Sequence, residues 1–234
     1  ALMNFAGFLK RNPGLALSEQ KRRAVCLFGY EQDLYKLALG VNISAKQAGM
    51  VLDFHPSDSL FTPASQLYLV PCAHRKAGIP RAFCRELIKR VEDGATLYMS
   101  WDYNICMPEM EDFFGLEIVG RIKCGIPVGI DLPGIKPFTL TPEYRFNILS
   151  HGAERLDKNG FIWEFRRGRG RIITATLPLE MLMLRESESY QKKPLYKFYE
   201  SLASGLLPER ILQCNDPEII ISEHENRNEM HPVI

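Results

Sequence analysis

The fold of this chain is decided by residues 66–103, QLYLVPCAHRKAGIPRAFCRELIKRVEDGATLYMSWDY. Leu67–Val70 is a continuous apolar run, as expected for a strand covered on both faces. Between Pro80 and Gly94, apolar residues recur at helical spacing, and these two residues suit the first turn and the left-handed end of a helix. Ala95–Trp101 then returns as an apolar strand. This order predicts one right-handed parallel β-α-β unit.

The segments before this unit extend it into a sheet. Ala24–Phe28 and Gly49–Phe54 predict two further strands. Helical patterns lie between them, at Glu31–Leu39 and Ser44–Gln47, with an interruption near Gly40. The sequence therefore predicts an α/β fold with an open, mostly parallel, flavodoxin-like sheet and helices on both faces.

From residue 116 to about residue 176 the pattern changes to short strands separated by proline and glycine, which predicts a β-rich extension. The strand-like segments are Leu116–Gly125, Ile126–Asp131 and Phe138–Thr141. Phe161–Phe165 and Arg171–Thr176 flank Gly168-Arg169-Gly170 and predict a hairpin, because glycine adopts positive φ at little cost. The hairpin explains the basic run RRGRGR better than a phosphate site does. Helices are predicted at Leu177–Arg185 and Ser189–Ala203.

Composition indicates a soluble globular protein with room for one large domain or two small ones. The chain has 234 residues, of which 46% are hydrophobic and 24% charged, and its net charge is +1. That charge gives no case for nucleic-acid or anionic-membrane binding, and no apolar run approaches the roughly 20 residues that span a bilayer. The six cysteines form no CxxC pair, so we expect buried free thiols, which favours a reducing, cytoplasmic compartment.

Thiol chemistry is the first alternative to weigh for this fold. An active amidotransferase needs a cysteine at a strand-to-helix elbow, with a histidine and a glutamate to complete a triad. Trp101-Asp102-Tyr103-Asn104 follows the predicted strand instead, and Cys106 lies farther along without small neighbours. Cys72, with His74 two residues later, is the other candidate; its alternative is a packed thiol beside a solvated loop histidine.

The sequence predicts neither a cofactor nor a metal site. Gly29 follows the first strand, but GYEQD lacks the further glycines of a dinucleotide site. Asp53 and His55 form the best metal-ligand pair and lack a convincing third ligand. Glu223, with its polar neighbours, is expected on a solvated strand edge. No spacing selects two carboxylates for glycoside hydrolysis.

One loop has the composition of a ligand site. Trp101, Asp102 and Tyr103 leave the carboxyl end of a central strand, where open α/β sheets place their ligands. Aromatic and polar groups together suit a sugar, so these three residues and His74 are the predicted substrate-binding residues. The alternative is a loop anchored by one buried tryptophan.

Several segments resemble a known family when they are taken in order. They are AVCLFGYEQD, QLYLVPCAHRKAGIP, FCRELIKRVEDGATLYMSWD, MEDFFGLEIVGR and GRGRIITATLPLE, the last at Gly168–Glu180. Ala24–Gly120 resembles the class I glutamine-amidotransferase-like domain that follows the catalytic barrel in some multidomain glycoside hydrolases, such as the β-galactosidase trimerisation domain. Ile122–Asn159 has no counterpart in that pattern.

The resemblance implies a role without catalysis in this chain. The family's catalytic glutamates belong to the barrel, so none is carried over. The implied roles are oligomerisation and shaping of the substrate cleft, and the implied partners are an upstream catalytic barrel, further copies of the chain and carbohydrate. The alternatives are a stand-alone amidotransferase-like thiol enzyme and a sugar- or protein-binding module.

The same resemblance implies three parts of the chain. Residues 1–20 would be the trailing helix of an upstream domain, and residues 21–206 the amidotransferase-like domain with its β-rich insertion. Residues 207–234 would be a linker and the start of a C-terminal β-domain.

Overall fold

A computed structural model describes residues 10–11, 19–29, 34–57, 63–73, 80–105, 109–186, 188–212, 214, 216, 218–225 and 230–233. Its strands are β1 (Glu19–Gln20), β2 (Arg23–Phe28), β3 (Val51–Pro56), β4 (Leu67–Ala73), β5 (Thr96–Trp101), β6 (Leu116–Lys123), β7 (Val128–Ile130), β8 (Phe138–Leu140), β9 (Tyr144–Ser150), β10 (Glu154–Arg155), β11 (Ile162–Arg167), β12 (Gly170–Ala175), β13 (Ser222–Glu225) and β14 (Met230–Val233). Its helices are α1 (Leu34–Gln47), α2 (Arg81–Glu92), α3 (Met110–Phe114), α4 (Leu179–Arg185), α5 (Ser189–Lys192) and α6 (Leu195–Ala203).

A seven-stranded sheet in the order β10-β11-β12-β5-β4-β2-β3 forms the centre of the fold. The five strands from β12 to β3 are parallel, and β10 and β11 continue the sheet in antiparallel pairing. The parallel part has the flavodoxin-like order, in which the second strand lies at the edge beside the first. The predicted fold class, an open, mostly parallel α/β sheet with a β-rich extension, is confirmed.

Helices cover both faces of the sheet. Successive side chains of a strand point to opposite faces, so Cys26 and Leu69 face one core cluster, and Leu27 and Val70 face the other. The first cluster contains the apolar faces of α1, α4 and α6, and the second contains those of α2 and α3. All seven residues of β4 are buried. This two-sided burial is why the central strands read as continuous apolar runs.

The predicted β-α-β unit is present as β4, α2 and β5, with β4 and β5 parallel. Pro80 immediately precedes α2, and Gly94 follows it with a φ of +119°. The Gly94 N–H donates to the Val91 carbonyl at 2.8 Å, and the Ala95 N–H donates to the Arg90 carbonyl at 3.0 Å. These bonds satisfy carbonyls that the end of a helix leaves free.

The predicted interruption of the first helix is wrong, because α1 continues through Gly40. A Cβ at Gly40 would lie 2.3 Å from the Tyr190 hydroxyl oxygen and 3.1 Å from Leu184 Cδ2. The glycine therefore allows close packing against α4 and α5 and does not end the helix. The predicted helix Ser189–Ala203 is divided at Pro194, which cannot supply a backbone N–H to a continuous helix.

The predicted hairpin is confirmed as β11 and β12, and its glycines serve packing. A Cβ at Gly170 would lie 2.1 Å from the Ala95 carbonyl oxygen and 2.3 Å from that of Val91. The Arg169 N–H donates to the Glu92 carbonyl at 3.0 Å. The basic run therefore holds the hairpin against the end of α2.

Two antiparallel ribbons, β6–β9 and β7–β8, make up much of the extension. Strand β9 was not predicted, although its apolar residues alternate with polar ones; Phe146 and Ile148 pack on the second core cluster. A small sheet pairs β1 with β13 and β13 with β14. It joins segments that the sequence assigned to different domains, and the domain limits stay a prediction. No helix in the described part of the chain is long and apolar enough to cross a membrane.

Candidate functional site

The predicted ligand loop leaves β5 at the carboxyl edge of the sheet, and its tryptophan is closed off from solvent. Trp101 has no exposed surface. Its ring makes edge contacts with Phe114 of α3 and Phe146 of β9, with centroids 5.6 and 6.2 Å apart. The indole Nε1 is buried and has no hydrogen-bond partner among the described residues. In this arrangement Trp101 anchors α3 and the β6–β9 ribbon.

The two residues after Trp101 differ in accessibility. Tyr103 is buried, its hydroxyl accepts the Glu143 N–H at 3.1 Å, and burial raises its pKa to about 12. Asp102 is partly exposed and accepts the backbone N–H of Asn104 at 3.2 Å. Asp102 is therefore the one described member of the predicted set that a sugar could reach without rearrangement. His74 lies outside the described residues, and the substrate-binding role of the set stays a prediction.

A buried polar cluster that the sequence did not indicate lies at the same edge of the sheet. Glu180, from the first turn of α4, is completely buried. It accepts the Tyr98 hydroxyl at 2.6 Å, the Ser100 hydroxyl at 2.5 Å and the Tyr199 hydroxyl at 3.0 Å. A carboxylate only accepts hydrogen bonds, so these three donors suit it. The cluster ties β5, α4 and α6 together.

Cys72 lies next to this carboxylate in an uncommon backbone conformation. Its φ is +50°, its Sγ is 3.7 Å from Glu180 Oε2, and its N–H donates to the Ser100 hydroxyl oxygen at 2.7 Å. A positive φ is unusual for a residue other than glycine, and the pairing of β4 with β5 is irregular at this position. This irregular backbone near the end of β4 places the Cys72 thiol in the cluster.

The surroundings of Cys72 disfavour thiol chemistry. Burial, and then the nearby charge of Glu180, raise the pKa of this thiol well above its usual value. A catalytic thiol needs the opposite environment, because the thiolate is the nucleophile. Cys26 and Cys84 are also buried free thiols, as expected from the sequence. Cys106 lies outside the described residues.

Among the residues that the structure describes, one group of exposed side chains has ligand atoms close enough to hold a metal ion. The two ring nitrogens of His151 lie 3.0 Å from a Glu111 oxygen and 2.9 Å from a Glu117 oxygen. Each nitrogen contacts a different carboxylate, which is the geometry of an imidazole paired on both sides. Asp53, which the sequence analysis considered with His55, instead receives two hydrogen bonds from Arg23, at 2.6 and 2.9 Å.

No protein-family model matches the sequence, and no curated protein matches it. Three solved structures show what the fold is similar to. An exo-β-1,4-mannosidase, Op5Man5, from Opitutaceae bacterium strain TAV5 has 16% identity and a TM-score of 0.67 over 89% of this chain and 40% of that chain. A cold-adapted β-galactosidase from Rahnella sp. R3 has 11% identity and a TM-score of 0.62 over 88% of this chain and 34% of that chain. A cytoplasmic protein from Salmonella typhimurium LT2 has 10% identity and a TM-score of 0.54 over 80% of this chain and 100% of that chain.

The chain thus spans less than half of the length of the two glycosidases. At these identities the likeness shows a shared fold. The same fold also accounts for the entire Salmonella protein. The architecture is therefore one that occurs within glycoside hydrolase chains and also as a complete chain.

Proposed function

We propose that this chain is a non-catalytic domain of a larger, carbohydrate-active glycoside hydrolase. In this proposal, hydrolysis of O-glycosidic bonds belongs to a catalytic barrel elsewhere in the parent protein, and the present domain supports oligomerisation and shapes the substrate cleft. The observation that carries the proposal is that nearly all of this chain shares its fold with only part of a mannosidase and of a β-galactosidase.

The burial and hydrogen bonding of the side chains at the carboxyl edge of the sheet support a non-catalytic role. Cys72, the thiol candidate that the described residues include, is buried, and burial raises its pKa. The neighbouring polar groups are engaged with one another, with Glu180 accepting three hydroxyl donors. Such a cluster stabilises one packing of the domain, and its members are not available to a substrate.

The test is the mass and activity of the native protein. We expect the gene product to be far larger than 26.7 kDa and to hydrolyse aryl mannosides or aryl galactosides, whereas the 234-residue chain alone does not. Light scattering should find the parent as an oligomer that dissociates when this domain is removed. A native product of 26.7 kDa, or a parent that cleaves no aryl glycoside, would contradict the proposal.

Asp102 provides a sharper test of the role in shaping the cleft. In the active parent, Asp102→Asn should raise KM for the glycoside and leave kcat within about twofold, because the residue would contribute only to binding. Asp93→Asn, in the turn after α2, is a matched control on an exposed carboxylate. Equal KM values for the two variants would remove Asp102 from the cleft.

A second candidate is a free-standing sugar- or protein-binding module. The observation in its favour is the fold shared with the complete Salmonella chain. A native product of 26.7 kDa that lacks glycosidase activity would favour this candidate over the first.

A further inference from the structure

Glu111, Glu117 and His151, here called the His151 cluster, bring ligand atoms from three elements to one place on the surface. Glu111 lies in α3, Glu117 lies in β6, and His151 directly follows β9. Each residue offers one ligand atom, and these atoms lie within 4.8 Å of one another. The side chains of Glu111, Glu117 and His151 are 58%, 47% and 33% exposed. A ligand in solution can therefore reach all three side chains.

The backbone around Gly115 holds the three residues of the cluster together. The Gly115 N–H donates to the Glu111 carbonyl at 2.8 Å, and the His151 N–H donates to the Gly115 carbonyl at 2.7 Å. Glu117 follows two residues later in β6, which pairs with β9. Gly115 has a φ of +62°, and a Cβ there would lie 2.6 Å from a ring carbon of Phe165. The relative positions of the three ligand residues are therefore set by packed backbone, although their side chains are exposed.

The contacts of the His151 ring do not match the hydrogen-bonding groups of a neutral imidazole. Its two nitrogens lie 3.0 Å from a Glu111 oxygen and 2.9 Å from a Glu117 oxygen. A neutral ring has one N–H donor and one bare nitrogen that only accepts, and a carboxylate also only accepts. At most one of the two contacts is then a hydrogen bond, and the other brings two acceptors together. A cation at the bare nitrogen would remove this conflict.

The charge of the cluster points to the same need. Among the described residues, neither Glu111 nor Glu117 forms an ion pair with a lysine or an arginine. Glu111 and His151 line an open groove of about 700 Å³, and Arg167 in the same groove pairs with Glu92 and Asp112. With a neutral imidazole, the cluster therefore holds two negative charges without a positive side chain beside them.

We propose that the His151 cluster binds a divalent transition-metal ion of the zinc type, with one ring nitrogen and one oxygen of each glutamate as ligands. Imidazole and carboxylate are ligands that zinc accepts, and its charge balances the two carboxylates. Zinc binds such ligands at about 2.0–2.2 Å, so ligand atoms around one ion lie roughly 3–3.5 Å apart. Rotation of the two exposed glutamate side chains is enough to close the cluster to that spacing.

The inference goes beyond the proposed function and does not rest on it, because a metal ion here joins α3, β6 and the end of β9 whether or not the chain belongs to a glycosidase. The sequence did not indicate the site, since its three ligands are separated by up to 40 positions. Three protein ligands leave at least one coordination position to water, on the side of the groove.

The experiment is calorimetric titration of the whole chain with zinc chloride at about pH 7.5, where the ligands are free of protons. Accessible thiols such as Cys124 are first blocked with iodoacetamide, because thiolates also bind zinc. We expect one zinc ion per chain. His151→Ala and Glu117→Gln should each weaken binding by at least about tenfold, since the loss of even an outer partner of a metal site has that effect. His55→Ala, at a histidine of β3 outside the cluster, is the matched control and should change the affinity by less than about twofold.

Magnesium chloride is the counter-probe, because magnesium prefers oxygen ligands. Magnesium binding as tight as zinc binding would overturn the assignment of a nitrogen ligand. Equal zinc affinity of the wild type, His151→Ala and Glu117→Gln would place the ion elsewhere and refute the proposal; if one variant does not fold, the other still decides. If zinc does not bind at all, a proton on His151 supplies the missing charge and the proposal is wrong.

Discussion

Replacing Glu180 by glutamine tests whether the buried polar cluster stabilises the domain. The amide keeps the size of the side chain but can accept through only one of its two terminal atoms. If the nitrogen takes the place of Oε2, Ser100 loses its 2.5 Å acceptor; the bonds from Tyr98 and Tyr199 then go to a neutral carbonyl.

The magnitude follows from these three bonds. A hydrogen bond to a charged group contributes about 1.5–3 kcal/mol and a neutral one about 1 kcal/mol. Losing one and weakening two should lower the free energy of unfolding by about 3 kcal/mol. For a domain of this size that corresponds to a Tm lower by about 6–12 °C.

The assay is urea unfolding of wild type, Glu180→Gln and Glu92→Gln. Glu92 is an exposed carboxylate paired with Arg167, and its substitution should change stability by less than about 1 kcal/mol. Tyr199→Phe removes one donor, so its effect and that of Glu180→Gln should not add in the double variant. If Glu180→Gln costs no more than Glu92→Gln, the reasoning about the cluster is refuted.

Three further predictions follow from burial and packing. Cys72 should react with iodoacetamide only after unfolding, because it is buried and its pKa is raised. The partly exposed Cys124 should react in the native protein. Labelling of both thiols at similar rates in the native protein would contradict the raised pKa of Cys72. Stability should fall as pH rises from about 9 through 11, because buried thiols such as Cys72 and phenols such as Tyr98 have raised folded pKa values and keep protons that the unfolded chain releases. Each group contributes up to about 1.4 kcal/mol per pH unit above its unfolded pKa, which is about 8.5 for a thiol and about 10 for a phenol. A urea midpoint that stays flat from about pH 9 to 11 would argue against these raised pKa values. Gly170→Ala should destabilise the protein by more than about 2 kcal/mol, because the new Cβ would meet two backbone carbonyls. Gly120→Ala should be close to neutral, because the nearest contact of its Cβ would be at 3.7 Å. Similar Tm values for the two variants in thermal unfolding would count against the packing argument.

The β-α-β unit and the hairpin could be predicted because their signals are local. Continuous apolar strands, a helical repeat and glycines at the turns lie within a few residues of one another. The continuation of α1 through Gly40 could not be predicted in this way, because the reason for that glycine is Tyr190, which is distant in sequence.

The polar cluster was missed for the same reason. Glu180 stands in an apolar run, LPLEMLML, and a lone carboxylate there is a signal of burial, but its donors come from β5 and α6. The loop after β5 was located correctly in the chain, whereas the closure of Trp101 depends on Phe146 from a strand that was not predicted. Contacts between segments that are far apart in the sequence therefore determine which donors reach Glu180 and whether Trp101 is exposed, and local sequence patterns predict neither.

The position of β12 has a consequence for how the chain folds. Strand β12 pairs with β5, yet residues 102–169, with both ribbons and β11, separate the two strands along the chain. β4 and β5, by contrast, are joined by little more than one helix. Closing the longer connection has a larger entropic cost, and contacts of this range slow folding. Until β12 docks, the apolar edge of β5 remains open to strands from other chains, so the chain is exposed to aggregation for as long as this long-range pairing has not formed.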